Sequence, residues 1–235
     1  MRHAARLALA LALLTLGAAA ATAQAPPARP GVRYLVLVRH GDYDRDSAAD
    51  DRVGNGLNAR GRQQALLTGR RLEALPVRFE ALVSSDYTRA RETADLIGQA
   101  LHMTAARDSL LRECSPGRER ADPMRLDARD NTAPCDSTLA RAWRAYVRPS
   151  PAAYAREVLV CHGNVIRWFT CRALGVPTSR WAAMDIGNAS ITVIAVRADG
   201  STRLASFSDV GHLPPDQQSW TGSGAGWSPP PAGHR

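Results

Sequence analysis

Four places in this chain set residues able to do chemistry at the end of an apolar run. Residues 35–38 (Leu-Val-Leu-Val) stop on Arg39-His40-Gly41, and residues 79–83 stop on Ser84-Ser85, with Arg89 close behind. Residues 106–111 stop on Arg112-Glu113, and residues 157–160 stop on Cys161-His162-Gly163. Two imidazoles, two guanidinium groups and a carboxyl make up a phosphate chemist's set. A neutral imidazole nitrogen can attack phosphorus, a guanidinium fork binds two anionic oxygens at once, and a carboxyl can give and take a proton. Arg39-His40 alone says only that an anion could sit at a strand end. Four such ends on one rim of a parallel sheet would make a single site.

The elements that must position these residues are legible in the pattern. A nearly pure apolar run is how a strand buried on both faces reads, and open α/β sheets hold their ligands at the carboxyl ends of such strands. After the first strand, a polar loop ends in Gly54-Asn55-Gly56, and Asn58 caps a helix over 59–75 with Ala65, Gly69, Leu72 and Leu75 inward. A second helix is expected over 88–101, with Ala90, Ala94, Ile97 and Leu101 inward. Further helices are expected over 137–147, stopped by Pro149, and over 165–174, closed by Gly175. Residues 190–196 and 202–207 flank Ala198-Asp199-Gly200 as a hairpin. This alternation predicts an α/β domain of three layers, αβα, whose central sheet is largely parallel with an antiparallel edge.

Composition narrows the function. At 235 residues the chain suits one well-packed domain, and its charge of +8 comes from 30 Arg and no Lys. The Arg residues are spread evenly rather than clustered, which excludes nucleic acid as the expected partner and leaves a mild field that attracts anions. Arg2 and Arg6 precede an apolar stretch over 7–21, and Ala21-Thr22-Ala23 offers a small-x-small cleavage site. The expected organisation is a Sec-type signal peptide over 1–23, a Pro-rich leader over 24–31, the domain over 32–214 and a disordered tail over 215–235. The expected location is periplasmic or secreted, with no stable membrane insertion after cleavage; an uncleaved N-terminal anchor is the alternative. Cys161 and Cys171 lie in apolar surroundings as small hydrophobes. Cys114 and Cys135 bracket a polar stretch, where a disulfide and two free thiols both stay open.

The same residues resemble the histidine phosphatase superfamily. Arg39-His40-Gly41 matches its first-strand hallmark, and residues 85–94 match its Ser-x-x-x-Arg-Ala-x-x-Thr-Ala element, which selects Arg89 rather than Arg91. Leu111-Arg112-Glu113 and His162-Gly163 match its later elements. No Arg-x-Pro follows Arg-His-Gly, and Gly rather than Asp follows His162, which places the chain away from the acid-phosphatase branch. Cys161-His162-x-Asn164-Val165-Ile166-Arg167 resembles the phosphoglycerate-mutase-like Ser/Thr phosphatases of mitochondria; Gly41, the N-terminus and the Cys114 and Cys135 pair depart from them.

The resemblance implies a phosphoglycerate mutase-like fold and a phosphomonoesterase working through a phosphohistidine on His40. Arg39, Arg89, His162 and the amide of Gly163 would bind the phosphoryl oxygens, and Glu113 would be the proton donor. No metal or cofactor is implied. The substrate is a phosphoprotein or a small phosphorylated metabolite, and a homodimer is left open. A phosphoglycerate mutase-type phosphotransferase and a non-catalytic phosphate-binding scaffold are the alternatives. His102 and His212 match no element and read as structural or exposed, and the sequon Asn188-Ala189-Ser190 reads as a turn rather than a glycosylation site. Asn164 and Arg167 read equally as helix packing or hydrogen bonding.

Overall fold

The computed structural model describes residues 31–46, 48–50, 53–118, 132–150 and 154–220. The sheet has six strands: β1 (Val32–Arg39), β2 (Ala81–Ser84), β3 (Ala106–Arg107), β4 (Tyr154–Cys161), β5 (Ile191–Val196) and β6 (Thr202–Asp209). Their order across the sheet is β3-β2-β4-β1-β5-β6. The first four pair in parallel, and antiparallel pairing enters only through β5, which lies between β1 and β6.

Helices cover both faces. α1 (Ala59–Glu73) and α2 (Thr88–Leu101) pack Leu72, Ala90, Ala94 and Ile97 onto Val36, Val38, Leu82, Val158 and Val160. On the other face, α3 (Ala133–Tyr146) and α4 (Gly163–Leu174) bring Leu139, Ala142, Ile166 and Phe169 against Leu35, Leu37, Leu159 and Ile194. Alternate residues of β1 therefore feed two separate cores, which is why the run at 35–38 is apolar at every position and not at every second one.

The helix starts and stops follow local chemistry. The Asn58 side chain accepts from the Gly61 amide at 2.9 Å and caps α1, and Gly175 closes α4 in a left-handed conformation at φ +71°. Three expectations need correction. The third strand is only two residues long, because Asp108 accepts from the Leu110 amide at 2.9 Å and turns residues 109–111 into a 3-10 turn. The helix expected over 137–147 starts four residues earlier, with Pro134 in its first turn. Residues 215–220 are not tail: Gln64 Nε2 donates to Gln217 O at 2.7 Å and to Ser219 Oγ at 2.9 Å, and Trp220 forms a bridge with Gly187. Residues 1–30 and 221–235 lie outside the described residues, so the leader, its cleavage site and the rest of the tail do too. Among the described residues no helix is long and apolar enough to cross a membrane.

Candidate active site

Register brings the chemistry to one rim. Arg39 at the end of β1 lies opposite Cys161 at the end of β4, and Ser84 at the end of β2 lies opposite Val160. Hydrogen bonds carry the alignment one residue further, from the His40 amide to Cys161 O at 3.0 Å and from the Ser85 amide to Val160 O at 2.9 Å. His40 and His162 emerge side by side, with ring centroids 5.1 Å apart. Glu113 arrives by a different route from the one expected. It stands beyond the 3-10 turn rather than at a strand end, and Arg89 comes from the first turn of α2.

The backbone around His40 is held from three sides. Ala189 donates to His40 O at 3.1 Å and Asn188 Nδ2 reaches the same oxygen at 3.4 Å, so the sequon asparagine is fully buried as a structural donor. The Gly41 amide donates to Thr93 Oγ1 at 3.0 Å, tying the loop to α2. On the third side, α1 comes so close that a Cβ on Gly41 would stand 2.4 Å from Gly61 O, and one on Gly61 2.0 Å from Asp42 O. The two glycines allow backbone to lie on backbone. The glycine of the Arg-His-Gly hallmark is thus a packing requirement here.

The ring of His40 is oriented as a nucleophile requires. Its Nδ1 lies 2.8 Å from Gly41 O, and a carbonyl only accepts, so Nδ1 carries the proton and Nε2 keeps its lone pair. Burial pushes the His40 pKa well below the usual histidine value, and the neighbouring His162, Arg39 and Arg89 push it the same way. The ring is neutral at physiological pH. His162 is lowered by the same burial and by Arg89 and Arg39; its Nε2 meets Ser85 Oγ at 2.8 Å, and its buried Nδ1 has no hydrogen-bond partner among the described residues.

The cations and the carboxyl complete the arrangement. Arg39 is buried, and desolvation pulls its pKa down to about 10, which still leaves it charged at neutral pH; it donates to Ile186 O. The Arg89 guanidinium lies 4.9 Å from the Tyr43 ring centroid and 5.3 Å from that of Tyr87. A Cβ on Gly163 would stand 3.4 Å from Arg39 Nε, so the start of α4 also lies against the site. Glu113 is half-buried, and desolvation raises its pKa against the opposing pull of Arg89, Arg39 and Arg167.

One ligand atom each from His40, Glu113 and His162 lie within 4.8 Å of one another. Two histidines and a carboxylate are also metal-ligand chemistry. Here, however, the same space is faced by Arg39 and Arg89, whose charge adds to the effect of burial in pushing both imidazoles toward the neutral form. Two guanidinium charges facing one space disfavour a divalent cation there and draw in an anion.

All six residues expected in the site, Arg39, His40, Arg89, Glu113, His162 and Gly163, come together. Ser85, singled out at the end of the second strand, and the sequon residue Asn188 join them, and Tyr43 and Tyr87 do so without having been singled out by chemistry. His102 serves as the left-handed C-cap of α2, and His212 meets Thr68 Oγ1 at 2.9 Å. A cavity of about 720 Å³, lined by Leu72, Phe79, His102 and Met103, lies at the opposite ends of the strands, away from the six residues of the site.

Comparison with known proteins gives the same picture. The family model for the histidine phosphatase superfamily (branch 1) matches residues 35–209. Serine/threonine-protein phosphatase PGAM5, mitochondrial, of Xenopus tropicalis is 35% identical over 194 residues, which cover 80% of this chain and 69% of that protein. The Caenorhabditis elegans protein of that name is 36% identical over 200 residues (80% and 67%), and the human one 35% over 193 residues (79% and 65%). The chain thus spans about two thirds of their length. Among solved structures, a phosphoglycerate mutase from Plasmodium falciparum superposes with a TM-score of 0.55 at 26% identity, covering 78% of this chain and 95% of its own. YhfR of Bacillus stearothermophilus reaches 0.62 at 23% identity (77% and 100%), a likeness of fold.

The relatives are named as mitochondrial, which overturns the expectation of a periplasmic or secreted location. The reason lies in the signal itself. A basic, acid-free, apolar N-terminus belongs to more than one kind of targeting segment, so its composition does not fix a compartment.

Proposed function

This chain belongs to the histidine phosphatase superfamily and is a phosphatase, and from that premise we propose that it hydrolyses phosphate monoesters without a metal, through a phosphohistidine on His40. The observation that carries this reading is the His40 ring itself: neutral, with Nδ1 pinned on Gly41 O and Nε2 left as a lone pair among cations.

The chemistry runs in two displacements. His40 Nε2 attacks phosphorus in line, the Nε2–P bond forms, and the bond from phosphorus to the leaving oxygen breaks as Glu113 hands that oxygen a proton. Water then attacks phosphorus from the side the leaving oxygen vacated, opposite His40, Glu113 takes its proton, and the Nε2–P bond breaks to release inorganic phosphate. Arg39, Arg89 and the Gly163 amide bind the equatorial oxygens, where transition-state charge is spread. Ser85 Oγ accepts from the Tyr87 amide at 3.3 Å and lies 2.8 Å from His162 Nε2, to which in this mechanism it gives its own hydrogen. The ring proton of His162 then sits on the unpartnered Nδ1, as a further donor to the phosphoryl group.

A Glu113 that is protonated before attack matters most for alkoxide leaving groups, such as those of phosphoserine and phosphothreonine. Likeness to relatives named as protein phosphatases supports a phosphoprotein substrate over a small metabolite. Residues 32–220 form the catalytic domain in this reading. The test is hydrolysis of p-nitrophenyl phosphate and of a phosphothreonine peptide in the presence of EDTA. Both activities are expected to persist in EDTA and to vanish in His40→Ala. Loss in EDTA, or turnover by His40→Ala, overturns the mechanism.

A further inference from the structure

The proposed proton donor does not hold itself in place. Glu113 lies in a segment, residues 112–118, that follows a 3-10 turn and belongs to no helix or strand. A carboxyl on such a segment needs outside partners to be aimed, and its two oxygens must be told apart if one of them is to deliver the proton.

Both tasks converge on Asn164, the second residue of α4. Its amide N–H donates to Glu113 Oε1 at 3.3 Å. An oxygen that accepts from an amide is disfavoured as the site of the proton, which leaves Oε2 as the hydroxyl of the neutral acid. Its side-chain Nδ2 donates to Cys114 O at 2.8 Å, holding the next peptide of the same segment. Its Oδ1 accepts from Arg167 Nη2 at 2.6 Å, so the amide group has one orientation only. Arg167, one turn further along α4, is itself fixed by Met184 O at 2.9 Å and lies 4.7 Å from the ring centroid of Trp181. The Trp181 indole N–H then returns to the segment, donating to Pro116 O at 3.2 Å and Gly117 O at 3.1 Å. The network starts and ends on the strand of backbone that carries Glu113. The Cys114–Cys135 disulfide and the Asp136 carboxylate on the Gly117 amide anchor that backbone to α3 from the other side.

We propose that the Asn164 side chain is a positioning residue for proton transfer: it holds the Glu113–Cys114 backbone so that the carboxyl points at the leaving oxygen, with Arg167 locking its amide. This rests on the reading of Glu113 as the general acid. It predicts an effect confined to the step that needs the acid. In a phosphohistidine mechanism kcat/KM reports phosphorylation of His40, and that step depends on leaving-group protonation for alkyl esters and hardly at all for dinitrophenyl phosphate.

The experiment measures kcat/KM for dinitrophenyl, phenyl and alkyl phosphates with the parent chain, Glu113→Gln, Asn164→Ala and Asn164→Asp. The aspartate variant keeps a partner for Arg167, removes the donor to Cys114 O, and serves should the alanine variant fail to fold. Glu113→Gln is expected to lose about 10²-fold or more on the alkyl ester and little on the dinitrophenyl ester. Both Asn164 variants are expected to steepen the leaving-group dependence in the same sense, by about 10-fold between the extremes. A steep Glu113→Gln with flat Asn164 variants, or Asn164 variants that slow all esters equally, overturns the positioning role alone. A flat Glu113→Gln overturns the acid assignment, and the positioning role with it.

Discussion

At the scale of single residues, the site works by setting titrations apart. His40 and His162 are both pushed toward the neutral form by burial and by Arg39 and Arg89, while desolvation pushes Glu113 toward its neutral form as well. The signs then fix a pH profile. The nucleophile stays unprotonated down to pH values below the ordinary histidine range, so protonation of His40 limits activity only on the far acid side. In the proposed mechanism Glu113 is the acid, and it is lost as pH rises through its raised pKa, so kcat/KM for an alkyl phosphate falls as pH rises. Initial rates across pH are expected to show that fall in the parent chain, and in Glu113→Gln the fall should be absent from what remains of the activity. A fall with rising pH that survives the substitution would assign it to another group.

At the scale of elements, the site depends on two backbones lying in contact where the loop after β1 crosses the start of α1. Gly41 and Gly61 make that contact, and neither has a positive φ, so the need is for space rather than for conformation. A Cβ at Gly61 would fall 2.0 Å from Asp42 O, and a backbone atom cannot step aside as a flexible side chain can. Gly61→Ala is expected to cost about 3 kcal/mol, seen as a lower urea midpoint, and to reduce turnover as well, because the same loop holds His40. A wild-type midpoint with full activity would show that α1 can withdraw without disturbing the site. The Asn58 cap just before Gly61 fixes where the helix begins and so where this contact falls.

At the scale of the whole molecule, distant segments close around the His40 loop. Gln64 accepts from the Asp42 amide at 2.8 Å and donates to Ser219, while the Asn188 amide donates to Ser219 O at 2.9 Å and its side chain reaches His40 O. Residues 215–220 are therefore a brace behind the catalytic loop. Ending the chain after Pro214 would leave Gln64 and Asn188, both fully buried, short of partners. The expected cost is about 2–4 kcal/mol, since each unpaired buried polar group costs on the order of 1–3 kcal/mol. Chemical denaturation of the shortened chain, alongside its kcat, measures it; unchanged stability would make the segment dispensable.

What could be read from the sequence was what depends on local pattern. The apolar run before Arg39, the period of α1 and α2, the Asn58 and Gly175 caps and the four chemistry-bearing ends all follow from residues within a few positions of one another. So does the meeting of Arg39, His40 and His162, because a parallel sheet places its strand ends on one rim, whereas Arg89 enters from the first turn of α2 and Glu113 from beyond the 3-10 turn. Five things were not legible there. Residues 106–111 look like a strand until Asp108 caps a 3-10 turn. The Gly, Ser and Pro composition around Ser219 hides a brace, because its partners Gln64 and Asn188 lie 155 and 31 residues away. The tautomer of His40, the pairing of Cys114 with Cys135 and the grip of Asn164 on the Glu113 segment also needed the folded chain. The physical reason is common to all five. Pattern records what each residue prefers, whereas a hydrogen bond or a backbone contact between distant segments exists only once packing has brought its two halves within about 3 Å.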